Sequence, residues 1–217
     1  AYADECDDGG HNYNLSTLVC LPKNPSGEDV EFGEYYAASD TRPLSIVNCD
    51  NRITASASKH RWESHMKYYI KARQQGFLKG RSILRNLLTV DSVMLMRSLQ
   101  EENSAAVFLD FAAAFPSLSQ RWMILSLEAR GAPSSLVLFV RSLYECNRAF
   151  GFSDGAASWL FDVLSGILQG DPASGWLYGP VNCDPFTQMI EAASKSSPAA
   201  ASASSATSGA CADDNYA

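Results

Sequence analysis

Two sets of carboxylates in this 217-residue chain stand where they could do chemistry. The first is Asp213-Asp214, within Ala210-Cys211-Ala212-Asp213-Asp214-Asn215-Tyr216-Ala217. Asp-Asp-Asn has turn chemistry, and its short neighbours favour strand, so the run reads as a β-hairpin with both acids at its tip. Adjacent residues on an ideal strand point to opposite faces, but at a tip both can approach one cation. Two carboxylates in contact repel, so such a site needs a cation to keep both ionised. The second is Asp110, which closes the apolar run Ala105-Ala106-Val107-Phe108-Leu109. A run of that kind forms a buried strand. Carboxylates are almost never fully buried unpaired, so Asp110 wants a partner. One acid at a strand end and two at a neighbouring hairpin tip make an oxygen-rich site suited to Mg²⁺. Two such ions could activate an attacking oxygen and stabilise a leaving one in phosphoryl transfer.

A lone Asp-Asp is more simply a solvated turn, so the elements that would bring these acids together carry the argument. The chain is long enough to bury a core, as one large domain or two small lobes. No apolar run approaches the ~18 residues of a membrane span. The start, with Asp4, Glu5, Asp7 and Asp8, lacks the basic-then-apolar pattern of a signal peptide. Six cysteines (Cys6, Cys20, Cys49, Cys146, Cys183 and Cys211) show no Cys-x-x-Cys spacing and read as free thiols in a reducing compartment. None of the three histidines pairs with a cysteine at ligand spacing, which argues against zinc.

A net charge of −7 argues against nucleic-acid binding only if the charge is evenly spread, and it is not. Residues 1–50 hold ten acids and two bases, Lys23 and Arg42. Residues 59–85 hold eight bases, including Arg73, Lys79 and Arg81, against the single acid Glu63. A basic stretch inside an acidic chain is a local polyanion footprint, or else the solvated face of a helix.

In order along the chain, residues 18–23 read as a strand ended by Pro22, residues 24–28 as a loop, and residues 41–48 as a second strand. Paired as an antiparallel hairpin, these would carry Lys23 and Arg42, each able to meet a phosphate. Trp62, Met66, Tyr69 and Ile70 recur at helical spacing, predicting a helix over 59–74. A glycine-punctuated loop follows. Ser82 can cap a helix running to about Glu102, with Ile83, Leu87, Val90, Met94 and Leu95 on one face. Beyond Asp110, Ser119 can cap a helix over 120–129 that Gly131 stops. Residues 133–146 predict another helix, with Leu136, Phe139, Val140 and Leu143 as its apolar face. Residues 148–164 predict a hairpin turning at Ser153-Asp154-Gly155. Residues 165–172 form a glycine-containing loop. Pro172 could open a helix to Ile190, kinked at Gly179-Pro180 and interrupted at Asp184-Pro185. Residues 192–208 are almost all Ala and Ser, a flexible insert or a plain helix with little to bury. Strands and helices intermix, which is an α+β arrangement with acids at the ends of central strands.

These residues, taken as an ordered set, resemble the reverse transcriptase domain of non-LTR (LINE-type) retroelements, related also to group II intron reverse transcriptases. The set is Leu21-Pro22-Lys23; Arg42-Pro43-Leu44-Ser45 with Asn48; Gln75-Gly76-Phe77 with Gly80-Arg81-Ser82; Leu109-Asp110-Phe111 with Ala114-Phe115-Pro116-Ser117; Gly166-Ile167-Leu168-Gln169-Gly170-Asp171-Pro172 with Ser174; and Ala212-Asp213-Asp214. The resemblance covers nearly the whole chain, from about Leu18 to Tyr216. It implies a right-hand polymerase: a fingers-like region at 17–105 after a disordered or truncated start at 1–16, and a palm-like region at 106–217. The palm would hold an antiparallel sheet with helices on one face, and the thumb would be absent. It implies Asp110, Asp213 and Asp214 as catalytic acids holding two Mg²⁺ ions, or Mn²⁺. Lys23 and Arg42 would contact the triphosphate of an incoming nucleotide. Phe115 would exclude a ribose 2′-OH, unless it is simply a core aromatic, and Gln169 and Gly170 would lie against nucleotide and template. Arg73, Lys79 and Arg81 would lie near nucleic-acid backbone. The implied partners are an RNA template, a DNA primer and dNTPs, with no membrane. Localisation, nuclear or cytoplasmic, and oligomeric state are left open.

The pattern departs from the family in places. Cys211 stands where an aromatic is usual, and Ala173-Ser174-Gly175 stands where Ser-Pro is common. The chain stops three residues after Asp214, which is the expectation of a fragment. A non-catalytic, polymerase-like RNA-binding remnant is the alternative. Another two-metal nucleotidyltransferase is a more distant one, opposed by the Gln169 loop and the hairpin bearing the two cations.

Overall fold

The computed structural model describes residues 13–196, except 73, 77, 101–105, 107, 109 and 112. Strand β1 (Leu15–Pro22) leads through a small hairpin, β2 (Gly27–Asp29) and β3 (Gly33–Tyr35), to β4 (Thr41–Val47). The small hairpin is an addition to the loop expected there. Its turn is held by the Asp29 carboxylate, which accepts from the Glu31 and Phe32 N–H groups at 2.8 and 3.0 Å. β1 and β4 pair antiparallel as expected, with Leu21 opposite Arg42.

Helix α1 spans Cys49–Tyr69, so it starts ten residues before the expected start at residue 59. Asn48 caps it, its side chain accepting from the Asp50 N–H at 3.3 Å. The buried face is Asn51, Ala55, Trp62, Met66 and Ile70. Its first member is polar, and Asn51 Nδ2 donates to Asn14 Oδ1 at 2.9 Å in the interior. A core position filled by Asn is invisible to a search for apolar periodicity.

Helix α2 (Ile83–Gln100) forms where expected but contains no buried residue: Leu87 is 62% and Leu95 60% exposed. Its predicted core face is therefore open to solvent among the described residues. Of the strand expected to end at Asp110, residues 105, 107 and 109 lie outside the described residues. Ala106, Phe108 and Asp110 lie outside any strand, and Phe108 is 75% exposed. Asp110 is exposed as well, so the partner that burial would have demanded is not required.

The next elements follow the sequence closely. After the four-residue α3 (Ala114–Ser117), Ser119 Oγ accepts from the Trp122 N–H at 3.3 Å and starts α4 (Gln120–Ala129). Gly131, at φ 71°, ends it, its N–H bonded to Glu128 O. Helix α5 (Ser134–Tyr144) buries Leu136, Val140 and Leu143 completely. β5 (Arg148–Ser153) and β6 (Ala156–Asp162) form the expected hairpin. Asp154 and Gly155 both take positive φ (51° and 77°), the geometry of the tight turn that matches strand twist. Helix α6 (Ser174–Tyr178) passes into a π-helical turn at Gly179–Cys183 and then α7 (Asp184–Ser196). Gly179-Pro180 distorts the helix as expected, whereas Asp184-Pro185 opens a new one, since a first-turn proline loses no hydrogen bond.

The four main strands form one sheet in the order β4-β1-β5-β6. β1 and β5 run parallel, with Leu15 opposite Arg148 and Thr17 opposite Phe150, so this sheet is mixed, whereas the antiparallel palm sheet expected around Asp110 and the Asp213-Asp214 hairpin falls largely outside the described residues. It takes two strands from each side of residue 105. The fold is thus α+β, with a core drawn mainly from α1, α4, α5, α6 and the π turn. Cys20, Cys49 and Cys183 are not in disulfides, but Cys146 is disulfide-bonded, which corrects the expectation of six free thiols. No helix among the described residues is long and apolar enough to cross a membrane.

Arg81 has a structural task. Its guanidinium donates to the carbonyls of Ile70 at 3.1 Å, Lys71 at 2.7 Å, and Gln74, closing the segment that leaves α1. Arg81→Ala should lower unfolding stability by about 1–3 kcal/mol, as loss of charge-assisted bonds to partly buried carbonyls does. Urea denaturation measures this. Unchanged stability together with weakened RNA binding would return Arg81 to a nucleic-acid role.

Candidate functional site

A cleft of about 550 Å³ opens between the β1–β4 hairpin, α3 and the loop over 165–172. Lys23, Arg42, Phe115, Gln169 and Gly170 all line it. Each arrives by a different local device. Lys23 follows β1, and its N–H donates to Asp40 O at 2.9 Å. Arg42 lies in β4, opposite Leu21. Phe115 sits in α3, entered through a left-handed Ala113 (φ 52°). The Phe115 ring packs 4.8 Å from that of Tyr178 and is half-buried, so it serves the core and the cleft wall together.

The 165–172 loop is fastened to both other walls. Gly166 N–H donates to Leu118 O at 2.8 Å and Ile167 N–H to Phe115 O at 2.9 Å. On the opposite side, Ser45 N–H donates to Gln169 O at 2.8 Å. Two glycines permit this closeness. A Cβ on Gly166 (φ 90°) would stand 2.8 Å from Pro116 O, and one on Gly170 (φ 112°) 2.9 Å from Ser45 O. Both contacts are with backbone, which cannot swing aside.

At the base of the cleft lies a mostly buried polar cluster whose role the sequence did not reveal, and two of its members, Asp171 and Ser174, themselves line the cleft. Asp171 Oδ1 accepts from Ala173 N–H at 2.6 Å. Ser174 Oγ donates to Leu168 O at 2.6 Å, and the Tyr144 hydroxyl lies 3.5 Å from Ser174 Oγ. Asp171 Oδ2 has no hydrogen-bond partner among the described residues. Burial pushes the Asp171 carboxyl up to about 6, against the opposing pull of the Ala173 N–H and the Arg52 charge. Burial also pushes the Tyr144 hydroxyl well above its usual range, and the Asp171 charge adds to this. The sequence signal was an Asp two residues before a free N–H, an Asx turn.

A carboxyl whose pKa is raised on folding favours the fold while protonated. That stability is fully present below the unfolded value of 3.8 and is lost as pH rises through about 6. Relative to Asp171→Asn, the native chain should therefore lose roughly 2 kcal/mol between pH 4 and pH 7, since each tenfold change in proton affinity is worth ~1.4 kcal/mol. Denaturant titrations of both proteins at the two pH values measure it. An equal difference at both would refute the buried ionisation.

The remaining sequence candidates lie elsewhere or outside the described residues. Asp110 is exposed and does not line the cleft, and it has no hydrogen bond or ion pair with the described residues. Its neighbour Phe111 packs edge-on to Phe186 at 4.8 Å. Asp213, Asp214 and Arg73 lie outside the described residues. Lys79 is exposed, with its N–H on Glu63 Oε1 at 3.2 Å. Lys79 and Arg81 do not line the cleft. Among the described residues, no three His, Cys, Asp or Glu side chains are grouped to hold a metal.

The homologues of this α+β chain are proteins of transposable elements, and they support a non-LTR retrotransposon protein. The chain is 28% identical over 176 residues to the retrovirus-related Pol polyprotein from the type-2 retrotransposable element R2DM of Drosophila melanogaster. It is 23% identical over 175 residues to the Transposon TX1 uncharacterized 149 kDa protein of Xenopus laevis. Each alignment takes in 81% of this chain but only 16% and 13% of the respective relatives, so the chain spans a small part of either. No family model matches it.

Proposed function

We propose that this chain is part of a retroelement's RNA-directed DNA polymerase, a reverse transcriptase domain that adds dNTPs to the 3′-OH of a DNA primer on an RNA template. The observation that carries this reading is the cleft. Two cations, an aromatic and a glycine loop, drawn from residues 23, 42, 115 and 169–170, line one concavity. Kinship with a retrotransposon Pol polyprotein supports it.

In this reading Lys23 and Arg42 receive the triphosphate, where charge-assisted contacts hold the nucleotide. Phe115, its ring backed by Tyr178, bars a 2′-OH by bulk. The Gln169–Gly170 backbone lies against nucleotide and template. Asp110 suits a hard cation, being an exposed oxygen donor without a competing partner among the described residues. With Asp213 and Asp214 it would hold two Mg²⁺ ions, or Mn²⁺. When bound, such ions activate the attacking 3′-oxygen and stabilise the leaving oxygen. No protein nucleophile is needed, so the chain's own part is to bind, align and exclude. Residues 17–105 act as fingers and 106–217 as palm, with the exposed Lys79 near template or primer backbone.

Primer extension on an RNA template with dNTPs and Mg²⁺ tests the proposal. The expected result is template-dependent extension, with Lys23→Ala raising the dNTP KM about tenfold or more, the effect of one lost charge-assisted contact. Salt-sensitive RNA binding without extension would replace this reading with that of an RNA-binding remnant.

A further inference from the structure

We propose that Asp171, Ser174 and Tyr144 form a positioning network that holds Gln169 and Gly170 in register with the cleft. This rests on the polymerase reading and assigns residues that the reading leaves without a role.

The loop is gripped from the front by a single hydrogen bond, Ser45 N–H to Gln169 O at 2.8 Å. The bonds nearest to Gln169 on its other side come from Asp171 and Ser174, which line the floor of the cleft. The Leu168 carbonyl, immediately before Gln169, accepts from Ser174 Oγ at 2.6 Å and from Asp171 N–H at 3.2 Å. Asp171, just after Gly170, accepts Ala173 N–H on Oδ1, and its own carbonyl accepts Ser174 N–H at 3.1 Å. Both flanks of the Gln169–Gly170 pair are thus tied to the start of α6. The Tyr144 hydroxyl from α5 reaches Ser174 Oγ and joins that start to the helical core.

All three side chains are buried: Asp171 is 6%, Ser174 3% and Tyr144 6% exposed. An aspartate is an expensive choice here. Asparagine offers the same acceptor to Ala173 N–H without placing a second carboxylate oxygen, Oδ2, inside without a partner. Gly170 has no side chain to anchor the turn itself. A loop that must present backbone to a ligand through such a residue needs its rigidity from its neighbours.

The test uses the 217-residue chain with dTTP and Mg²⁺, reading affinity by calorimetry and local protection by amide hydrogen exchange. Asp171→Ala removes the acceptor for Ala173 N–H, Ser174→Ala and Tyr144→Phe each remove one hydroxyl, and loss of folding in one leaves two others. Each should weaken dTTP binding about fivefold, as the loss of one hydrogen bond does. Each should also speed exchange at the Ser45 amide while leaving Met123 in α4 unchanged. Combined with Gln169→Ala, none should weaken binding further. Native-like affinity in all three variants, or additive losses with Gln169→Ala, would overturn the network and leave the polymerase reading standing. Failure of the native chain to bind dTTP would overturn the polymerase reading, and the network's function with it.

Discussion

Asp110→Asn should reduce primer extension by more than about a hundredfold while barely moving the unfolding midpoint. The structure makes the two halves of this result separable. Asp110 is exposed, lies outside any strand, and makes no hydrogen bond or ion pair with the described residues. Exposed substitutions of that kind change stability by roughly half a kilocalorie per mole or less. An asparagine keeps the shape but removes the charge that makes a carboxylate a ligand for a hard cation. Loss of an outer-shell partner alone costs metal sites about 10–100-fold, and loss of a direct ligand should cost more. Extension that survives the substitution would remove Asp110 from the catalytic set. A large drop in stability would instead show that it is held in a structure the described residues do not include.

Gly170→Ala should destabilise the chain by about 2–5 kcal/mol, combining a strained positive φ with overpacking against fixed atoms. The added Cβ would meet Leu44 Cδ1 and Ser45 O at 2.9 Å. Leucine can rotate, but a strand carbonyl cannot. The loop must therefore lift from β4, and the Ser45–Gln169 hydrogen bond breaks with it. Circular dichroism melting reads the stability, and dTTP titration should show affinity falling further than for Ser174→Ala. A variant as stable and as tight-binding as the native chain would mean that the loop does not seat on β4 as described.

Where structure was written locally, the sequence could be read. Ser119 and Gly131 bracket α4 because a cap and a left-handed stop act within one turn. Asp154-Gly155 turns the β5–β6 hairpin for the same reason. The five cleft residues were named from an ordered set of short motifs, and they do converge, because those motifs sit at strand ends and loops fixed by backbone hydrogen bonds. What was missed depends on tertiary context. The first half of α1 carries Asn51 and Ala55 inward, and neither looks apolar enough to mark a buried face. The leucines of α2 look like a core face, yet their periodicity says nothing about whether a partner surface exists. Ala106 and Phe108, from the apolar run before Asp110, are exposed, and strand composition does not by itself bury a side chain. Asp171 stands in one of those motifs, which assigns it no role. Its importance lies in being buried beside Tyr144 and Ser174, and burial at one residue is not a pattern in sequence.

The parallel seam between β1 and β5 sets an order of events as the chain is made. Leu15 and Arg148 pair across more than a hundred intervening residues. The β1–β4 hairpin can close early, because its strands are near in sequence. The inner edge of β1 must wait for its partner. At synthesis rates of roughly 5–20 residues per second, that wait is on the order of ten seconds. Closing so long a loop adds only slowly to the entropic cost, but it delays the seam. Through that interval β1 presents unpaired backbone donors and acceptors, which is the condition under which nascent chains join one another edge to edge. Expression yield should consequently depend on how quickly the segment up to β5 leaves the ribosome, more than on the final stability of the sheet.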